Sequence, residues 1–139
     1  MDNREARAAL GRVRKLQERI YQLEEALRQA WDIETSITAS PSTERVQNSS
    51  ERRPGESYAA LSDEVERQKQ ELNDQKVEVL QLIHSVPDNR MATVLIAYYI
   101  NGKTWEQIAV DTHYSFRHVT RLCRQGLDAV QRIIEERGA

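Results

Sequence analysis

From Asn3 to Ile33 the apolar residues return at every seventh position, a spacing that only a helix gathers onto one face. Ala6, Val13, Ile20 and Leu27 fill one seam position, and Ala9, Leu16, Leu23 and Ala30 the seam position beside it. Mid-segment, β-branched residues alternate with leucine, as in a coiled coil. The remaining residues are mostly Arg, Glu, Gln and Ala, good helix formers. Tyr21 and Trp31 flank the seam. From Tyr58 to Val86 the same repeat resumes. Tyr58, Val65, Leu72, Val79 and Val86 take one seam position; Leu61, Gln68, Gln75 and Leu82 take the other. Buried glutamines in such a seam fix register at some cost in stability; the alternative is a seam that is partly open. Leu80 and Ile83 widen the apolar face toward the end of the segment.

Between these segments, Glu34 to Ser57 is dense in Ser, Thr, Pro, Glu and Arg, with only Ile37 and Val46 clearly apolar. So little apolar surface cannot offset the entropy of ordering, so a mobile loop is expected there. Two long helices joined by a loop predict an antiparallel hairpin. The same seams also allow pairing between chains, as a homodimer, and the sequence leaves both open. Composition agrees with an all-α fold. Charged residues are 30% of the 139, and the mean hydropathy of -0.72 is too polar for one large core. Five glycines and three prolines are too few for the many turns of an all-β chain. The expected organisation is a helical hairpin over residues 1–86, with its loop at about 34–57, then a small helix-turn-helix domain over 87–139.

The second part has its own punctuation. Pro87 ends or kinks the preceding helix. Asp88 is a good cap for a helix from Asn89 to Ile100, whose inner face is Met91, Val94, Leu95 and Tyr98. Gly102 can take left-handed dihedrals and stop that helix. Thr104 can cap a short helix with Trp105, Ile108 and Ala109 inward, and Ser115 can cap a last one. Val119 and Leu122 face inward there, while Arg117, His118, Thr120, Arg121 and Arg124 do not. The last helix is expected to run past Ile133 and Ile134.

Gly102, Thr104, Glu106 to Ala109, Ser115 and Val119 match the spacing of the fourth region of bacterial sigma factors, which reads the upstream promoter element. The likeness covers roughly Val86 to Ile133. The whole layout resembles phage-encoded activators of the RinA type, with a helical N-terminal half before the helix-turn-helix. This resemblance implies an all-α protein that binds double-stranded DNA near a promoter, where it can touch RNA polymerase in the host bacterial cytoplasm. One departure stands at the turn, where Thr112-His113 replaces the usual Leu-Gly. Histidine tolerates the left-handed region better than most residues, and Tyr114 and Phe116 are expected to refill the core that the leucine would supply.

The expected DNA-facing set is Lys103, Thr104, Ser115, Phe116, Arg117, His118, Thr120, Arg121 and Arg124. Arg117 and Arg121, four residues apart, share a helix face and suit bidentate recognition of guanine. Arg124, a turn farther on, suits phosphate, as do Lys103 and Thr104 at the start of the first motif helix. Between Ser115 and Gln125 there are three arginines and no acid, within a chain of net charge -2 and pI near 6.0. Such a chain is not a generally basic nucleic-acid binder; its basic character is local.

Other classes fit poorly. No catalytic constellation is evident, and Gly102-Lys103-Thr104 lacks the upstream glycine of a phosphate loop, so no enzyme activity and no cofactor are expected. Cys123 is the only cysteine; it reads as a small buried residue, and with His113 and His118 it makes too few ligands for zinc. No segment approaches the apolar length of a membrane span, and the charged N-terminus is unlike a secretory signal. The leading expectation is a sequence-specific DNA-binding transcription regulator, an activator of phage genes. Two rivals remain: a DNA-packaging recognition subunit of the small-terminase kind, and a helical adaptor that never contacts DNA.

Overall fold

In the computed structural model, residues 2–39 and 56–138 are described, and every regular element among them is helical. Helix α1 runs Arg4–Ala39 and α2 Glu56–His84; α3 is Asn89–Leu95, continued by a π-helical turn over Ile96–Ile100; α4 is Trp105–Thr112 and α5 Phe116–Gly138. The all-α architecture read from the sequence is therefore the one found, with the first two helices long.

Several boundaries differ from the sequence reading. Helix α1 continues to Ala39, six residues beyond Ile33, into the segment expected to be loop. No proline or glycine stands between Ile33 and Ala39 to force a stop. Residues 40–55 of the expected loop lie outside the described residues. Helix α2 ends at His84, so Val86 is not helical, although it is buried. Pro87 disfavours helical dihedrals in its predecessor, and the Val86 N–H instead closes a tight turn onto the Ile83 carbonyl at 2.9 Å.

The chain divides into two compact units, Met1–Gln17 with Leu72–Ala139, and Glu18–Glu71. This division cuts across the expected boundary at 86/87. In the second unit α1 and α2 pair antiparallel within the chain. Glu24 of α1 accepts from Lys69 of α2 at 3.1 Å, and farther along α1 Trp31 meets Tyr58, nearer the start of α2, with ring centroids 4.9 Å apart. Ile20, Leu27 and Val65 are buried in the seam, as is Gln68. The Gln68 amide nitrogen donates to Glu64 at 3.1 Å, while its Oε1 is buried with no hydrogen-bond partner. Exposed pairs such as Glu25–Arg28 and Glu64–Arg67 decorate the outside and contribute little individually.

In the first unit, the start of α1 and the end of α2 share a fold with α3, α4 and α5. Its core includes Ala6, Leu10, Val13, Val79, Ile83, Val94, Leu95, Ile108, Val119 and Val130. Leu10, outside the heptad seam, is fully buried; a helix sunk in a globular core buries a broader stripe than a two-helix seam. Non-local polar contacts fix the start of α1. The buried side chain of Gln131 in α5 accepts from the Ala6 N–H at 3.0 Å, one of the donors a helix start leaves unpaired. Asn3 donates to Asp128 at 3.0 Å. Farther along, the Arg14 guanidinium lies 4.0 Å from the centre of the Tyr98 ring and donates to the Tyr98 carbonyl at 2.6 Å. It also reaches the Lys103 carbonyl, at 3.4 Å. Arg14 thus satisfies the Tyr98 carbonyl near the end of the π-helical turn and ties it to the loop that follows.

The π-helical turn explains a shift in the expected inner face. Met91 and Tyr98 are half-buried, whereas Tyr99 and Ile100 are buried together. The wider turn, closed by the Asn101 N–H on the Ile96 carbonyl at 3.0 Å, changes which residues face the core.

Candidate nucleic-acid interface

Each helix of the motif is stopped and started by the residues that the sequence marks for it. Asp88 caps α3, accepting from the Arg90 and Met91 N–H groups. The Arg90 side chain and the backbone donors together hold the Asp88 carboxyl below the usual carboxylate range. Gly102 has φ of 68°, the left-handed geometry that ends the preceding helix. Thr104 accepts from the Gln107 N–H at 3.2 Å, and Gln107 Oε1 accepts in return from the Thr104 N–H at 2.9 Å. This reciprocal capping box rests on a Thr-x-x-Gln spacing visible in the sequence. Ser115 accepts from the His118 N–H at 3.1 Å and starts α5.

The turn between α4 and α5 carries its strain at His113, with φ of 62° and ψ of 23°. The histidine therefore occupies the left-handed position usually held by glycine. Phe116 does not refill the small core as expected, for the residue is 49% exposed. Tyr114 instead packs edge-on against His118, with centroids 4.7 Å apart, and the Thr112 hydroxyl donates back to the Ile108 carbonyl at 2.6 Å. Trp105, expected inward, is half-buried and stacked flat on Tyr98 at 3.8 Å.

Helix α5 is divided cleanly into two faces. Val119, Leu122, Cys123, Gly126, Leu127, Val130 and Gln131 are buried, recurring at helical spacing. Gly126 lets α5 pack tightly on α3: a Cβ there would meet Leu95 Cδ1 at 2.9 Å. Burial pushes the Cys123 thiol up to about 11, against the opposing hydrogen bond from Tyr99. On the other face Arg117, Arg121 and Arg124 are exposed. They span about 10 Å of helix axis, and no carboxylate among the described residues pairs with them. The basic stretch ends at Asp128, which Asn3 engages.

The remaining expected site residues fall around this stripe. Ser115 and Phe116 lie exposed at the start of α5; Thr120 is half-buried, its hydroxyl donating to the Arg117 carbonyl at 3.0 Å. His118 is half-buried and lies 2.7 Å by Nδ1 from Arg121 Nη2. A guanidinium only donates, so Nδ1 accepts and the ring proton sits on Nε2. The histidine thereby restrains the orientation of Arg121, a role the three-residue spacing alone did not declare. Lys103 and Thr104 belong to the start of α4. Lys103 Nζ lies 2.7 Å from the Asp111 carboxylate, so a phosphate contact there must compete with an existing ion pair. The Thr104 hydroxyl oxygen is occupied as a cap, leaving its own O–H to donate.

Among the described residues no helix is long and apolar enough to cross a membrane. No family model, curated protein or solved structure matches the chain.

Proposed function

We propose that the chain is a sequence-specific DNA-binding transcription regulator that inserts the first turns of α5 into a major groove. The observation that carries this reading is the exposed stripe of Arg117, Arg121 and Arg124, unpaired with acid and projected from a helix whose opposite face is sealed into a core. Such a helix suits a groove that admits one helix and presents acceptors on its floor and phosphates on its walls. Arg117 and Arg121 are assigned to base edges, with His118 restraining the latter. Arg124 is assigned to phosphate, with secondary backbone contacts from Ser115, Lys103 and Thr104. The likeness to the fourth region of sigma factors and to RinA-type phage activators supports a place beside the upstream promoter element, in contact with RNA polymerase.

The test is selection of bound duplexes from a randomised library by the full chain. Convergence on one recurring element is expected, bound roughly a thousandfold or more tighter than unrelated duplex. Recovery of unrelated sequences, or of nothing above background, would overturn the reading.

A further inference from the structure

Phe116 opens α5 about half exposed, although it begins the apolar side of the helix. Val119, Cys123 and Leu127, three, seven and eleven residues on, continue that side into the core and are at most 4% exposed. The residue is thus the exposed end of a buried stripe, at the very start of α5. Thr120, one turn later, shares its face. Its hydroxyl proton is already committed to the Arg117 carbonyl, so toward a partner the side chain offers its methyl and, at the oxygen, acceptor capacity alone. Beside this pair stand Arg117, Arg121 and Arg124, with no acid between Ser115 and Gln125.

A single exposed phenylalanine needs no explanation by itself. Its position here is more restrictive, because whatever meets it must also receive the adjoining cations. A major groove offers phosphates and guanine acceptors together with one apolar group on its floor, the C5 methyl of thymine. We propose that Phe116, with the Thr120 methyl beside it, reads a thymine adjacent to the base pairs contacted by Arg117 and Arg121. This rests on the DNA-binding reading above and narrows its target to an element that sets a thymine methyl next to arginine-read positions.

The experiment uses the duplex selected by the full chain, with each thymine replaced in turn by deoxyuridine, which removes only the methyl. Wild type should lose about fourfold in affinity at one or two positions, corresponding to about 0.8 kcal/mol for one methyl-sized group. Phe116→Ala should bind the original duplex more weakly and be indifferent to the same replacement, while Phe116→Leu retains part of the response; circular dichroism confirms the fold of both. Wild-type indifference at every thymine would overturn the inference, as would an undiminished response in Phe116→Ala, even with specific binding intact. Failure to select any duplex would instead overturn the underlying DNA-binding reading, and this inference with it.

Discussion

At Gly126 and Gly11 the same substitution should act in opposite directions. Gly126→Ala would thrust a methyl against the fully buried Leu95, at 2.9 Å from Cδ1 and 3.1 Å from Cγ. Overpacking of this kind costs about 1–3 kcal/mol, which exceeds the gain of up to about 1 kcal/mol in helix propensity. Gly11, also in a helix, has nothing within 4 Å of an added Cβ, so Gly11→Ala should stabilise by about 0.5–1 kcal/mol. Urea unfolding of the two variants checks both signs. Cys123 gives a pH prediction. Its thiol titrates near 11 in the fold but near about 8.5 when unfolded. The stability it supplies is therefore complete below the unfolded value and is lost as pH rises toward the folded one. Thermal melts of wild type and Cys123→Ala should show the gap between them narrowing from about pH 8.5 to 11. At this scale the sequence was informative wherever the chemistry is local: Asp88, Gly102, Thr104 and Ser115 act within four residues of themselves. It was silent on Gln131, whose partner at Ala6 is 125 residues away.

The turn between α4 and α5 is an element adapted around a non-glycine residue. A left-handed residue with a Cβ costs about 1–2 kcal/mol, offset for glycine by its greater freedom when unfolded. His113→Gly should therefore raise stability by about 0.5–1 kcal/mol in the same unfolding assay. A loss would mean that the imidazole supports the turn. The heptads made the long helices legible, since their period is written in residue type alone. Val13, Ile20, Val65 and Val79 are buried as their seam positions require. The π-helical turn after Leu95 was not legible. A continuous α-helix to Ile100 satisfies the same local propensities, and only the demand to bury both Tyr99 and Ile100 separates the two. Phe116 misled only as a core residue: its place on the apolar side suggested burial, yet it is half exposed.

The whole molecule does not divide where composition and motif spacing suggest. Residues 1–17 belong to the same compact unit as the helix-turn-helix, contributing Ala6, Leu10 and Val13 to its core and Arg14 to the Tyr98–Trp105 stack. A fragment limited to residues 87–139 lacks these and also Val79 and Ile83. Its short helix α4 cannot persist on propensity alone, so circular dichroism should find it largely unfolded. A cooperative melt like that of the full chain would show that the N-terminal segment is dispensable. These contacts were hidden in the sequence because each helix announces its apolar face but not the surface that will cover it. The arginine stripe of α5 was visible for the converse reason: no acid or apolar residue claims it.

The most direct measurement is the affinity of Arg117→Ala/Arg121→Ala, beside wild type, for the selected duplex by fluorescence anisotropy. Two lost base contacts at about 1–3 kcal/mol each should weaken binding by roughly thirtyfold or more, with the helical circular dichroism unchanged. Equal affinity of the folded double variant and wild type for that duplex would contradict the placement of this helix in the groove.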